Sequence, residues 1–444
     1  MSDYTGGSVE ADHLCVLVHG LWGNPNHMMS IAKALRAMYP PEKLYILVAK
    51  RNSGSFTYDG VELGGERVCL EIEEELASIA ARGGRITKLS VVGYSLGGLV
   101  ARYAIGLLYA KGVLNRLECM SFTAFASPFL GVRTPLKGWS NHLWNVLGAR
   151  TLSKSGRQLF GIDKFRDTGR PLLAVMADPD SIFVRGLARF RRRTLYANIV
   201  NDLSAVYYTT GISRTDPYTD LSKVRVNYVE GYEDVILDPA NPVVPLPADR
   251  IARPTFTETF EKWVKRIPFL LALAIFVPVG VLAFLLNSVI QTVRSNTRIA
   301  LHEGGKAGIR IEDFRPPLWM TGIREAVEDA YEELNSSQDQ EYLHRSDDSG
   351  SETDGLMGAD DEEGGREILA LERKQSHREQ PTLALAPHQF EMINGLDSLG
   401  WHKYPVWIHK DRHSHAAIIV RMEKESFSEG RLVLDHWLKR EFLM

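Results

Sequence analysis

The sequence predicts an α/β protein with a mostly parallel central sheet and helices on both faces of that sheet. Short, continuously apolar runs at residues 14–18, 89–92 and 120–126 are typical of strands that are buried on both sides. Segments with helical periodicity separate these runs, as the crossover between parallel strands requires. With 444 residues, 44% of them hydrophobic, the chain can form one large core.

The predicted elements alternate along the first half of the chain. Strands are predicted at 14–18, 44–49, 89–92, 120–126 and 195–200, and helices at 28–38, 67–81 and 96–111. Prolines crowd residues 239–254, which indicates an irregular segment there.

Charge and cysteine content narrow the class of protein. The chain carries 52 basic and 55 acidic residues, a net charge of −3, so its overall charge does not favour nucleic acid as a partner. The three cysteines, Cys15, Cys69 and Cys119, are widely spaced and are predicted to be buried thiols rather than a disulfide or a metal site.

Residues 1–12 lack the apolar core of a signal peptide, so we expect a cytosol-facing protein that is not secreted. We expect no metal or organic cofactor.

The central motif is GYSLGG at residues 93–98, a G-x-S-x-G directly after a predicted strand and directly before a predicted helix. In that context the serine occupies a sharp, strained turn, and Gly93 and Gly97 leave room for it. Ser95 is therefore the candidate nucleophile, and the Leu96 N–H at the start of the helix is the first candidate oxyanion donor. A glycine-rich turn that happens to contain a serine is the alternative.

A second oxyanion donor is expected from the loop after an earlier strand. The motif HGLWG at residues 19–23 follows the first predicted strand, and the Leu21 N–H is our candidate because glycines on either side allow close approach to a substrate. The alternative is a turn that simply ends the strand.

The acid should follow the nucleophile in the chain, at the end of a later strand. Asp202 comes directly after the predicted strand 195–200 and is the candidate. The competing carboxylates, which solvated loops would explain equally well, are Asp216, Asp220, Asp234 and Asp238.

The base should lie later still. Four histidines fall in or near regions of weak structural signal, namely His302, His344, His377 and His388, and four lie near the C-terminus, namely His402, His409, His413 and His415. His415 opens the apolar run 416–420, and such a junction can hold an imidazole ring in place. Spacing alone does not separate His415 from His413.

These motifs resemble those of serine esterases of the DUF676 type, a fungal and plant family that includes lipid-droplet-associated phospholipases and monoacylglycerol lipases of fungi. The resemblance rests on LVHGLWG at 17–23, GYSLGG at 93–98, ASPFLG at 126–131, residues 198–202, and HAAIIVR at 415–421. It implies an α/β-hydrolase fold and a triad of Ser95, Asp202 and His415, so by analogy it favours His415 over His413. Phe129 occupies a place where the family often has a histidine, a departure that concerns the substrate pocket rather than the triad.

An apolar stretch at 267–290 constrains the topology. Residues 269–286 are long enough, at ~1.5 Å per residue, to span a ~30 Å hydrocarbon core. A single crossing would place His415 on the opposite side of the membrane from Ser95 and Asp202, so we expect a hairpin or an in-plane insertion instead. Pro278 can break the helix. Basic residues flank both ends, which favours the same side for both: Lys262, Lys265 and Arg266 before the stretch, Arg294 and Arg298 after it. A buried core or lid helix pair is the alternative.

The sequence therefore predicts a lipase or esterase that hydrolyses phospholipid or monoacylglycerol at the endoplasmic reticulum membrane or a lipid droplet. A thioesterase or protein deacylase with the same triad, and a catalytically silent lipid-surface adaptor, are the alternatives. The basic run 185–193 would attract anionic lipid or form a solvated face. The oligomeric state stays open. The predicted regions are a hydrolase core at 1–260, an apolar membrane-associated insertion at 261–298, a helical connection at 299–335, an acidic disordered loop at 336–380, and the C-terminal part of the core, with the base, at 381–444.

Overall fold

The computed structural model describes residues 4–133, 135, 153–202, 205–246, 293–300, 340–343, 368 and 382–444. Its strands are β1 (His13–Val18), β2 (Leu44–Val48), β3 (Lys88–Tyr94), β4 (Glu118–Phe125), β5 (Arg192–Asn198), β6 (Val224–Val226), β7 (Val243–Pro245) and β8 (His402–Val406). Its labelled helices are α1 (Met29–Met38), α2 (Val61–Ala81), α3 (Leu96–Ala110), α4 (Lys154–Leu159), α5 (Leu172–Ala177), α6 (Ile182–Ala188), α7 (Tyr207–Thr210), α8 (Pro387–Asp397), α9 (Ser414–Ala417) and α10 (Ser428–His436). Residues 293–300 are also helical.

Six strands form the central sheet in the order β2-β1-β3-β4-β5-β8, and every neighbouring pair is parallel. The predicted parallel sheet is confirmed. The five strands predicted in the first half of the chain are all present, with ends shifted by a few residues. Strands β6 and β7 form a separate antiparallel pair.

Both faces of the sheet are buried, because alternate side chains of each strand enter different cores. In β1, Leu14 and Val16 belong to the core beneath α2, α3 and α6, whereas Cys15 and Leu17 belong to the core beneath α1 and α10. The predicted burial of the three cysteines is confirmed.

The C-terminal region adds the sixth strand of the sheet, which the apolar runs of the sequence do not predict. The edge strand is β8, whose proline at 405 is tolerated because an edge strand needs hydrogen bonds on one side only. The apolar run 416–420 is not a strand. It overlaps α9 and the turn after it, and its residues are buried in the core beneath α1 and α10.

The order of the strands places a topological switch point beside β1. The chain moves from β1 to β2 on one side and then returns to β3 on the other, so the connections after β1 and β3 separate at the carboxyl ends of adjacent strands. In open α/β sheets, ligands bind at such a switch point. The two loops that leave it contain the motifs at 19–23 and 93–98.

Several predictions fall outside the described residues. The apolar stretch 267–290, nearly all of the connection 299–335 and most of the acidic loop 336–380 lie there, so their predicted conformations stay predictions. Among the residues that the structure describes, no helix is long and apolar enough to cross a membrane. From its sequence context, Arg298 is interpreted as a basic residue that flanks the apolar stretch. In the structure its side chain is buried, because Asp59 binds its guanidinium.

Candidate active site

Ser95 lies in a strained turn between β3 and α3. Its φ of 55° and ψ of −131° are disfavoured for a residue with a side chain, and its N–H donates to the Phe125 carbonyl at 2.9 Å. A Cβ on Gly97 would lie 2.2 Å from the Val18 oxygen, and one on Gly93 would lie 2.4 Å from the Gly98 Cα. The turn therefore needs glycine at both predicted positions.

The structure brings the three predicted triad residues together. His415 Nε2 lies 2.9 Å from Ser95 Oγ, and His415 Nδ1 lies 2.9 Å from Asp202 Oδ2. The side chains of His415 and Asp202 are 12% and 1% exposed. With its Nδ1–H donating to the carboxylate, the imidazole presents a lone pair at Nε2 to the serine hydroxyl. His413, the alternative base, is exposed.

The Asp202 carboxylate is held on both oxygens. Oδ2 also accepts from the Asn198 side-chain amide at 2.8 Å, and Oδ1 accepts from the Ala205 N–H at 2.9 Å. Asn201, with a φ of 59°, turns the chain directly after β5 so that Asp202 points back towards the imidazole. Asn198 is a positioning residue that the sequence indicated only as part of a family motif.

The competing carboxylates have other partners or lie at the surface. Asp216 accepts from the Gln340 side chain and the Tyr218 N–H, and burial raises its pKa. Asp220 accepts from Ser222, Asp238 accepts from the Ala240 N–H, and Asp234 is exposed.

Tyr94 is a further residue of the site that sequence reasoning missed. Its hydroxyl donates to the His415 carbonyl at 3.0 Å, and the centroids of its ring and the His415 ring are 5.1 Å apart. Ser414, next to His415, donates to the Val200 carbonyl at 2.9 Å. These contacts fix the imidazole against the nucleophile turn and the end of β5. The variable position within G-x-S-x-G carries no sequence signal of this role.

The candidate oxyanion donors both lie beside the nucleophile. Leu96 begins α3 directly after Ser95, and a Cβ on Gly20 would lie 2.7 Å from the Ser95 Cβ. Neither the Leu21 nor the Leu96 N–H has an acceptor within the part of the chain that the structure describes. Orphan N–H groups beside a serine are what an oxyanion requires.

The Gly20–Leu21 peptide has a defined orientation. Its carbonyl accepts from the Gly23 N–H and from His19 Nδ1, each at 3.1 Å. Because a trans peptide directs its N–H opposite to its carbonyl, these bonds also orient the Leu21 N–H. Burial lowers the pKa of His19 to about 4, so the ring is neutral at pH 7.

Phe129, at the position where the resemblance suggested a histidine, is fully buried. Its ring packs 5.4 Å from Trp401, and the Arg102 guanidinium lies 5.1 Å from the ring centroid. The segment therefore belongs to the core behind the site.

Comparison with known proteins supports the resemblance. Residues 8–216 match the family described as "Putative serine esterase (DUF676)", so the predicted resemblance is confirmed over this range. The range includes Ser95 and Asp202, whereas His415 lies beyond it.

Similar curated proteins come from two yeasts. "Putative lipase ROG1" of Saccharomyces cerevisiae is 31% identical over 215 residues, which are 47% of this chain and 30% of that protein. "Putative lipase C4A8.10" of Schizosaccharomyces pombe is 28% identical over 220 residues, 47% of this chain and 27% of that protein. The chain thus matches less than a third of the length of these relatives.

Similar solved structures include "RedJ with PEG molecule bound in the active site" and an "Alpha/beta hydrolase fold protein from Nakamurella multipartita". The first is 18% identical, with a TM-score of 0.26, over 49% of this chain and 83% of its own. The second is 15% identical, with a TM-score of 0.24, over 46% and 80%. The strand order and the parallel pairing of this chain themselves define its fold.

Proposed function

We propose that this chain is a serine lipase or esterase that hydrolyses carboxylic ester bonds of lipids. The observation that carries the proposal is the continuous relay from Ser95 through His415 to Asp202, with 2.9 Å at each step, on a strained strand-to-helix turn. The complete relay favours a hydrolase over a catalytically silent adaptor.

In the proposed mechanism Ser95 Oγ attacks the ester carbonyl while His415 Nε2 takes the hydroxyl proton. Asp202 keeps Nδ1–H in place and stabilises the imidazolium that forms. The Leu21 and Leu96 N–H groups bind the oxyanion of the tetrahedral intermediate. As the intermediate collapses, the alcohol leaves with the proton from His415. Water, activated by the same imidazole, then hydrolyses the acyl-enzyme to the free acid.

The lipid nature of the substrate is supported by the names of the relatives, which are called lipases, and by the apolar stretch at 267–290. Phospholipid and monoacylglycerol are the proposed substrates. A thioester or an acylated protein would use the same relay, so a substrate panel is needed to separate these classes.

We further propose that the apolar stretch inserts into one leaflet of a cytosol-facing endoplasmic reticulum membrane or into a lipid-droplet surface. His415 contacts Ser95, and the 293–300 helix contacts Asp59, so chain segments before and after the stretch lie together. This contact supports a hairpin or in-plane insertion over a single crossing. Protease protection of membranes should leave both flanks accessible from one side. Flanks on opposite sides would overturn the insertion model.

The activity itself is tested by steady-state hydrolysis of dispersed phospholipid, monoacylglycerol and an acylated peptide. The wild type should hydrolyse the lipid esters, and Ser95→Ala and His415→Ala should not. His413→Ala is the matched control, because it makes the same change two positions from His415. It should retain activity, because His413 is exposed. A preference for the acylated peptide would replace the lipase proposal with a protein deacylase.

A further inference from the structure

A buried ion cluster lies on the segment Gly54–Asp59, a short 3-10 helix that we call the anchor turn. The Asp59 carboxylate, fully buried, binds Arg67 Nη2 at 2.7 Å and Arg298 Nη2 at 2.5 Å. Ser295 Oγ donates to the same carboxylate at 2.7 Å. Arg298 and Ser295 belong to the 293–300 helix, so this helix is fastened to the anchor turn through one carboxylate.

Both guanidiniums also contact the anchor turn itself. Arg298 Nη2 donates to the Ser55 carbonyl at 3.0 Å, and the Arg67 and Arg298 guanidiniums lie 5.0 and 4.9 Å from the Phe56 ring centroid. Removing two cations and one carboxylate from water is expensive, and buried ion pairs are weak contributors to stability. What such a cluster does provide is a fixed orientation, because the planar guanidinium binds two acceptors in a defined geometry.

The anchor turn in turn holds the loop that contains Leu21. Thr57 Oγ1 accepts from the Trp22 N–H at 3.0 Å, and the Gly54 N–H donates to the Gly23 carbonyl at 2.8 Å. Trp22 has a φ of 54°, a conformation that the surroundings must impose on a residue with a side chain. These two hydrogen bonds fix the residues that directly follow the Gly20–Leu21 peptide.

We propose that Arg298 and Asp59 are positioning residues for the oxyanion donor at Leu21, acting through the anchor turn. This inference rests on the proposed function. The 293–300 helix directly follows the apolar stretch in sequence, so the cluster connects the donor to the part of the chain proposed to contact lipid. Neither residue touches the reacting atoms, and neither is part of the relay.

The test uses the full chain and a soluble short-chain ester, p-nitrophenyl butyrate. Arg298→Met leaves Asp59 paired with Arg67, while the helix loses its guanidinium contacts to Asp59 and to the Ser55 carbonyl and keeps the Ser295 hydrogen bond. We expect kcat to fall about ten-fold with little change in KM, because an oxyanion contact is made in the transition state and a displacement of about 1 Å is enough to weaken it. Arg294→Met, an exposed arginine of the same helix, is the matched control and should keep the wild-type kcat.

A second pair of variants tests the link between the anchor turn and Trp22. Thr57→Val removes the acceptor for the Trp22 N–H at nearly constant volume, whereas Thr57→Ser keeps a hydroxyl. We expect the valine variant to lose kcat and the serine variant to retain it. If Arg298→Met fails to fold, Arg298→Lys takes its place, since it keeps the charge without the bidentate geometry.

The outcomes separate this inference from the proposed function. Hydrolysis by the wild type with equal kcat for Arg298→Met and Arg294→Met, or with equal kcat for Thr57→Val and Thr57→Ser, would overturn the positioning role alone. An inactive wild type whose Ser95 also fails to react with a fluorophosphonate would overturn the proposed function and the positioning role together.

Discussion

Asp202→Asn exchanges a charged carboxylate for an amide of the same shape, at a position where the described residues place three hydrogen-bond donors. Three donors meet this carboxylate: His415 Nδ1–H and the Asn198 amide at Oδ2, and the Ala205 N–H at Oδ1. An asparagine has one oxygen to accept with, so one side must face a donor with an NH₂ group.

Two arrangements of the amide are possible, and both predict damage. If the NH₂ faces His415, the imidazole must accept at Nδ1 and carry its proton on Nε2, where it can no longer take the Ser95 proton. This first arrangement also leaves the Asn198 amide without its acceptor. In the second arrangement the oxygen faces His415 and the NH₂ group faces the Ala205 N–H, and leaving these two buried donors unpaired costs about 1–3 kcal/mol. In either arrangement the imidazolium loses its counter-charge.

We therefore expect kcat to fall by roughly 10³- to 10⁴-fold, which is about 4–5.5 kcal/mol at 1.36 kcal/mol per factor of ten. The assay is steady-state hydrolysis of p-nitrophenyl butyrate, with thermal unfolding as the measure of folding. Asp216→Asn is the matched control, because it is the same change at a half-buried carboxylate that also accepts side-chain and backbone hydrogen bonds, and it should keep kcat within a few-fold. Retention of kcat within ten-fold by Asp202→Asn, with loss in Asp216→Asn, would refute the assignment of the acid.

Three further predictions follow from other contacts of the site and the core. Gly97→Ala should destabilise the fold by about 2–4 kcal/mol, because its Cβ would meet the Val18 carbonyl. Gly64→Ala should be tolerated, because its Cβ would meet side chains, with Val100 at 3.2 Å and Asn52 Nδ2 at 3.5 Å. Urea unfolding compares the two variants, and equal stability would contradict the packing argument. Tyr94→Phe should lower kcat about three- to ten-fold without raising KM, because the hydrogen bond to the His415 carbonyl is lost while the ring remains. An unchanged kcat would show that this bond does not position the imidazole. Burial lowers the pKa of His13 and of His19 to about 4, against 6.5 when unfolded, so the unfolded chain binds more protons between these values. Stability should accordingly fall as the pH drops from 6.5 towards 4, by up to about 1.4 kcal/mol per pH unit for each ring, and urea midpoints that do not change from pH 7 to pH 5 would contradict this.

The parts of the fold predicted from sequence are those encoded by local patterns. Strands buried on both faces are continuous apolar runs, so the first five strands of the sheet stand out. The strained turn at Ser95 needs glycine at neighbouring positions, and this requirement appears in the sequence as a motif. Asp202 is found because it directly follows one of those runs.

What the sequence does not show depends on contacts between distant residues. Spacing leaves His413 and His415 equivalent, because the choice depends on how α9 docks against Tyr94 and Ser95, about 320 residues away. Strand β8 carries polar and exposed residues at its start, as an edge strand does, and so lacks the apolar run that marks the others. The run at 416–420 is more apolar than β8, but its residues are buried from a short helix and the turn after it rather than from a strand.

The environment of Arg298 likewise depends on a residue that is distant in the sequence. Beside an apolar stretch, an arginine is expected at a membrane surface, and its sequence context favours that interpretation. The structure pairs it with Asp59, 239 residues earlier, and no local pattern encodes that contact.

The central claim is that Ser95 is a nucleophile activated by His415 and Asp202, and its most direct test is a fluorophosphonate adduct located by mass spectrometry. We predict a single adduct on the peptide that contains Ser95 in the wild type and in His413→Ala. Labelling should be lost in Ser95→Ala and should be slower by orders of magnitude in His415→Ala. A folded wild type that forms no adduct at Ser95, or that labels equally fast after His415→Ala, would contradict it.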